Sequence, residues 1–142
     1  MKRIPALQNL SREHQPALVL AAHAKRFTMM SDPALLFQFK QKVIDQFQGS
    51  IEPHFQLEEK YLLPALEQVG ELAVAKQTRE EHENLRNIYA GIWQAEASVI
   101  AEFGKLLAQH IRFEESVVFE IAQSRLKATQ LDIIRRASVD KG

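Results

Sequence analysis

Apolar residues return every three to four positions along most of the chain, the period of helices that bury one face. The first such stripe carries Leu10, His14, Ala17, Leu18, Ala21 and Ala24. Ser11 is suited to cap the helix that bears it, which is expected to run to about Met30 with Pro16 tolerated near its first turn. Ser31-Asp32-Pro33 then offers a cap followed by proline at the first helical position. A second helix is expected over about Pro33 to Gln68. It aligns Leu36, Phe39, Val43, Phe47, His54, Glu58, Tyr61/Leu62 and Ala65. Gly49 and Pro53 should kink it, because Pro53 has no N–H for the carbonyl of Gly49. Gly70 marks the next stop. A third helix from about Glu71 to Trp93 lines up Thr78, His82, Leu85, Tyr89 and Ile92. After a turn bracketed only by Gly91 and Ser98, a fourth lines up Val99, Phe103, Leu106, His110, Glu114, Val117 and Ile121. A short fifth helix near Thr129 to Ala137 is expected to pack Leu131, Ile133 and Ile134 against the outside of the bundle. No alternating run of β-branched residues reads as a strand. The fold class is therefore all-α, an antiparallel up-down four-helix bundle with a short C-terminal helix. One domain is expected over residues 1–142, its core at about 10–122.

Composition narrows the chemistry. The 142 residues contain 18 Lys+Arg, 18 Asp+Glu, 5 His and no Cys. Without cysteine there are no disulfides, zinc-thiolate sites, iron–sulfur clusters or cysteine nucleophiles. A formal net charge of zero without a basic run argues against a nucleic-acid partner. No apolar stretch approaches the roughly 18 residues of a membrane span, and no apolar run ending in small residues follows Met1-Lys2-Arg3-Ile4-Pro5 to mark a signal peptide. A cytoplasmic location with no membrane partner is expected. No internal repeat is strong enough to use.

Four of the five histidines fall on the apolar stripes, one per long helix: His14, His54, His82 and His110. Two are followed four residues later by glutamate, at Glu58 and Glu114, a spacing that puts both side chains on one helical face. In an up-down bundle, residues equally far from a connecting turn lie at one height. The midpoints of successive histidines fall at positions 34, 68 and 96, beside the expected turns, and each residue of offset is worth about 1.5 Å along a helix. The four imidazoles are thus expected in one layer, with both glutamates within about a turn. Taken singly, a histidine on such a stripe is more often a satisfied core residue, and a His–Glu pair an ordinary intrahelical hydrogen bond. Together they pose a different problem. Two facing buried carboxylates are costly, and a pair of cations removes the cost. Mixed imidazole and carboxylate ligands suit iron, with zinc, manganese or copper as alternatives. His23, nine residues after His14, turns to the opposite face and is read as a surface residue.

The segments Leu-Ser-Arg-Glu-His at 10–14, His-Phe-Gln-Leu-Glu-Glu at 54–59, Glu-Glu-His at 80–82 and His-Ile-Arg-Phe-Glu-Glu at 110–115, with Lys-Tyr-Leu-Leu-Pro-Ala-Leu after the second, resemble the hemerythrin-like HHE cation-binding domain family. The resemblance covers about residues 10–122. It implies a hemerythrin-like bundle around two iron ions with a bridging oxo or hydroxo group. His14 and His54 would serve one iron, His82 and His110 the other, and Glu58 and Glu114 would bridge. The ferritin-like pattern Glu-x-x-His is absent before every histidine. Two features depart from oxygen-carrying hemerythrins: Arg86 stands where they carry a fifth histidine, and both Glu114 and Glu115 are available as the last carboxylate. The spacing shared with His54–Glu58 favours Glu114, with Glu115 as the fallback. Two imidazoles, two bridging oxygens and one solvent-derived bridge make five donors per metal, so an octahedral ion keeps an open position.

The functional expectation is a di-iron protein that binds, senses or scavenges dioxygen, peroxide, nitric oxide or an anion. The alternative is a regulatory helical module whose metal occupancy controls a protein partner, with the fifth helix as docking element. No acid–base pair outside the metal layer supports an enzyme; a peroxidase or oxidase activity would be the form it took. Glu59 and Glu115 fit either an orienting role toward an imidazole or the solvated surface. Tyr61 and Tyr89 read as core aromatics with hydroxyls at the rim, and Arg86 as a charge near a bound anion or a snorkelling side chain.

Overall fold

Helices account for most of the residues 2–140 that a computed structural model describes, and no strand occurs among them. Helix α1 is Pro5–Ala24. Helix α2 is a continuous rod over residues 33–68 in which α-helical stretches alternate with wide π turns at Phe47–Ile51 and Glu58–Leu62. Helix α3 is Leu72–Ala90. Helix α4 spans residues 97–125, with a third π turn at Glu114–Val118. Helix α5 is Ala128–Asp140. The first four form the up-down bundle, and α5 folds back onto α1 and onto the 58–62 turn of α2.

Helix α1 starts and ends earlier than its stripe suggests. Ile4 is its extended N-cap and Pro5 its first residue, a position where proline loses nothing because the first N–H groups have no helical acceptor. Pro16 is therefore an interior proline. It lies on the exposed face, as does Arg12, whose carbonyl loses the helical donor that Pro16 lacks. The helix stops at Ala24, and Thr28–Ser31 fold into a turn closed by Ser31 N–H to the Thr28 carbonyl at 3.0 Å and Thr28 N–H to Ser31 Oγ at 2.9 Å. Asp32 caps α2 as expected, accepting from Ala34 N–H. Gly70, at φ 89°, makes the turn into α3.

The disruption expected at Gly49–Pro53 takes the form of the first π turn, where Glu52 N–H reaches the Phe47 carbonyl five residues back. The rod widens there and continues.

Two apolar clusters fill the bundle, one around Ala21, Val43, Phe47, Phe55, Leu85, Phe103 and Leu107, the other around Leu7, Leu10, Leu62, Leu66, Val118 and Phe119. A buried polar layer lies between them. Helices α1 and α4 approach closely enough to require Gly104: a Cβ there would stand 2.6 Å from the Ala21 carbonyl oxygen and 2.7 Å from Ala24 Cβ. In α5, Leu131, Ile134 and Ala137 join the second cluster. Ile133, expected to pack with them, faces solvent.

Candidate metal centre

The polar layer consists of His14 from α1, His54 and Glu58 from α2, His82 from α3, and His110 and Glu114 from α4. All six are buried, and Glu58, His82 and Glu114 are wholly inaccessible. The imidazoles stand in two neighbouring pairs, His14–His54 with centroids 5.0 Å apart and His82–His110 with centroids 4.8 Å apart. The structure brings together the six side chains that the sequence midpoints place in one layer.

The carboxylates lie between the pairs, each turning one oxygen to either side. Glu58 places Oε2 3.1 Å from His54 Nε2 and Oε1 3.1 Å from His82 Nε2. Glu114 places Oε1 2.8 Å from His14 Nε2 and Oε2 3.3 Å from His110 Nε2. Two groups of potential ligand atoms result, one on His14, His54, Glu58 and Glu114, the other on Glu58, His82, His110 and Glu114. Within each, all four atoms lie inside 4.8 Å of one another. Glu115 points elsewhere, to Ser11 and to the outer nitrogen of His14.

These atoms are poorly satisfied by one another. His54 Nε2, His82 Nε2, His110 Nε2, both Glu58 oxygens and Glu114 Oε2 are buried without a hydrogen bond. Buried polar atoms are ordinarily hydrogen-bonded, and these are left with only ion contacts of 3.1–3.8 Å to one another. Six orphans converging on one place mark a donor set built for cations. Its chemistry is borderline, neutral nitrogen plus carboxylate oxygen, and fits divalent or trivalent first-row metals.

A wide turn follows each inner glutamate. Leu63 N–H bonds to the Glu58 carbonyl and Phe119 N–H to the Glu114 carbonyl, each five residues back. Such bulges recur at functional sites. They slow the rotation of side chains around the helix, which helps consecutive carboxylates, Glu58–Glu59 and Glu114–Glu115, both to serve the layer.

Every outer histidine nitrogen has a carboxylate of its own. Glu13 lies 2.8 Å from His54 Nδ1, Glu59 2.7 Å from His82 Nδ1, Glu81 2.7 Å from His110 Nδ1, and Glu115 2.6 Å from His14 Nδ1. A carboxylate can only accept, so Nδ1 carries the hydrogen, which leaves Nε2 to present its lone pair inward when the ring is neutral. The contacts run from α1 to α2, α2 to α3, α3 to α4 and α4 back to α1. The two halves of the chain are thereby related: Glu13-His14, His54 and Glu58-Glu59 match Glu81-His82, His110 and Glu114-Glu115. The repeated Glu-His and Glu-Glu dipeptides were a sequence signal for Glu13 and Glu81, which helix periodicity alone passes over.

Electrostatics in the metal-free layer follow from the two buried carboxylates. Burial pulls the histidines down, yet the surrounding carboxylates outweigh it. His82 is held up to about 10 and His110 to about 9, while His14 and His54 are raised. Burial likewise pushes Glu114 up, and His110, His14 and His54 more than reverse it, leaving it well below the usual carboxylate range. Protons on the imidazoles supply the positive charge that the layer needs.

A cavity of about 20 Å³ adjoins the layer, lined by His14, His54, His110 and Glu114, by the polar Glu13 and Ser50, and by the apolar Ala17, Ile51, Phe55, Leu107 and Ile111. His82 does not reach it; the Phe55 ring stacks on that imidazole at 3.9 Å. Tyr89 stacks on Phe47 at 4.0 Å and Tyr61 packs with the second apolar cluster. Arg86 ion-pairs with Glu52, Glu59 and Glu83. His23 is exposed.

Comparison with known proteins agrees with this arrangement at the level of family. The profile of the hemerythrin HHE cation binding domain matches residues 6–122. No curated protein and no solved structure matches the chain.

Proposed function

We propose that this chain, which belongs to the hemerythrin HHE cation-binding domain family, is a non-haem di-iron protein that binds a small ligand such as dioxygen, peroxide or nitric oxide, in order to sense or scavenge it. The observation that carries the reading is the division of six buried ligands, five of which present buried atoms without a hydrogen bond, into two equivalent halves, each with two imidazole nitrogens and one oxygen from each of two carboxylates. In this reading His14 and His54 would hold one iron and His82 and His110 the other, with Glu58 and Glu114 available to both. Iron held there supplies electron transfer and an affinity for small oxygen and nitrogen species.

The protein's own part is to position and to exclude. The orienting carboxylates keep each Nε2 aimed inward. The adjoining cavity of about 20 Å³ has room for about one water-sized species, so a diatomic enters and a larger substrate does not. Its apolar wall favours neutral ligands over hydrated anions. It is lined by His14 and His54 of one half and His110 of the other, while Phe55 covers the His82 ring, which does not reach it.

Titration of the iron-loaded protein with nitric oxide, peroxide and azide, followed by visible absorption, tests this. Saturable spectral changes at one ligand per chain, attenuated by Ala17→Phe, support it. Spectra indifferent to all three ligands would remove it.

A second reading has one observation behind it. Helix α5 packs on the 58–62 turn that begins with Glu58, so metal occupancy can bear on that surface and on a partner that reads it. Capture of a partner by the metal-loaded and not the metal-free chain separates this module from a ligand-binding protein.

A further inference from the structure

Two arginines that are neither ligands nor sequence neighbours of ligands hold matching places at the rim of the centre. Arg86 grips Glu59 through Nη1 and Nη2 at 2.9 and 3.1 Å, and its other edge holds Glu52 through Nε and Nη2 at 2.7 and 2.8 Å. Glu59 is the carboxylate on His82 Nδ1. The same guanidinium lies 5.6 Å from the centroid of Phe55, the ring stacked on the His82 imidazole. Arg3, just ahead of α1, repeats the arrangement at His14. Its Nε lies 3.3 Å from Glu115 Oε1, its Nη2 2.6 Å from the Glu115 carbonyl, and its Nη1 3.0 Å from Glu120. Glu115 is the carboxylate on His14 Nδ1. The Arg3 guanidinium lies 5.7 Å from Phe119, which stacks on His14 with planes 7° apart.

We propose that Arg3 and Arg86 are paired positioning residues, each dedicated to one of the two cations: each fixes both the carboxylate that orients one ligand histidine and the aromatic ring that lies against its face. The inference rests on the two-cation reading above. His14 and His82 belong to different halves of the donor set, so each half has one arginine-anchored histidine. Arg3 lies outside the residues matched by the family profile.

Two effects of losing an arginine oppose each other. Glu59 without Arg86 keeps more negative charge for His82 Nδ1–H, which strengthens the nitrogen as a donor. It is also about a quarter exposed, and without the two-armed grip it is free to swing into water, leaving the imidazole unoriented. Loss of such an outer partner ordinarily costs 10–100-fold in metal affinity, and the exposure of Glu59 lets the second effect win.

The test uses zinc(II) on the full, metal-free chain, with affinity from chelator competition and the histidine Nδ1–H resonances from NMR. Arg86→Met is expected to weaken one of two zinc ions by about 10–100-fold and to broaden the His82 Nδ1–H signal while His14 keeps its own. Arg3→Met is expected to do the converse. Arg86→Lys, which restores charge without the planar fork, is expected to recover little. Glu52→Gln, which loosens Arg86 without touching His82, is the milder variant should Arg86→Met fail to fold, and is expected to reproduce the loss in part. Equal weakening of both ions by each variant, no weakening by either, or full rescue by lysine overturns the inference. A parent chain that takes up no zinc overturns the two-cation reading and this inference with it, whereas a parent with two zinc ions and indifferent arginine variants overturns this inference alone.

Discussion

Glu13 Oε1 lies 2.8 Å from Nδ1 of His54, a histidine of the next helix and not the one beside it in the chain. Three like contacts complete a circuit of the bundle, so each helix helps aim the ligand of its neighbour. Metal affinity is then a property of how the helices pack. Replacing Glu13 or Glu81 by Ala should lower affinity by about 10–100-fold while the metal-free fold persists. Chelator competition beside far-ultraviolet circular dichroism measures both.

Removal of the metal should destabilise the protein. A ligand that binds only the folded state contributes about 4 kcal/mol at a free concentration 1,000 times its Kd. The midpoint of urea unfolding should therefore fall when a chelator strips the site and recover on reloading. The predicted ordering is reversed only if the layer prefers its protons to metal.

The pH dependence of the metal-free chain has a defined sign. His82 at about 10 and His110 at about 9 are raised above the ordinary imidazole value of about 6.5. Their contribution to stability is fully present below about 6.5 and is lost as pH rises through about 9–10. Urea unfolding at pH 7 and pH 10 should show this loss without metal and much less of it with metal bound. Loading at pH 7 should also release protons, because metal displaces them from Nε2, and an indicator dye in weak buffer records the release.

Gly104 is where α1 and α4 meet. A methyl placed 2.6 Å from the Ala21 carbonyl oxygen abuts backbone, which cannot step aside cheaply. Gly104→Ala should cost about 1–3 kcal/mol in chemical denaturation. Gly49→Ala, whose Cβ meets nothing within 4 Å, should show no such clash and serves as the control.

What the sequence made legible was whatever lies along a single helix. The apolar stripes located the four rods, and the same stripes carried His14, His54, Glu58, His82, His110 and Glu114 into one layer. Relations between helices were less visible. Glu13 and Glu81 sit one residue off the stripe, where rotation by about 100° points toward solvent in an isolated helix and toward a neighbouring imidazole in a packed one. Arg3 acts across 112 residues of chain, a separation no local pattern reports. The π turns after Glu58 and Glu114 change the helical period for only a few residues, too few to shift a stripe. The early start of α1 rests on Pro5 as a first helical residue, where Ser11 offered a more familiar cap.

The central claim is that two cations share the space between Glu58 and Glu114. Metal analysis of freshly purified protein, with visible and near-ultraviolet spectra in air and under anaerobic reduction, tests it most directly. The account predicts two iron ions per chain and oxo-to-iron charge-transfer bands that bleach on reduction. A colourless protein holding one zinc ion per chain would contradict it.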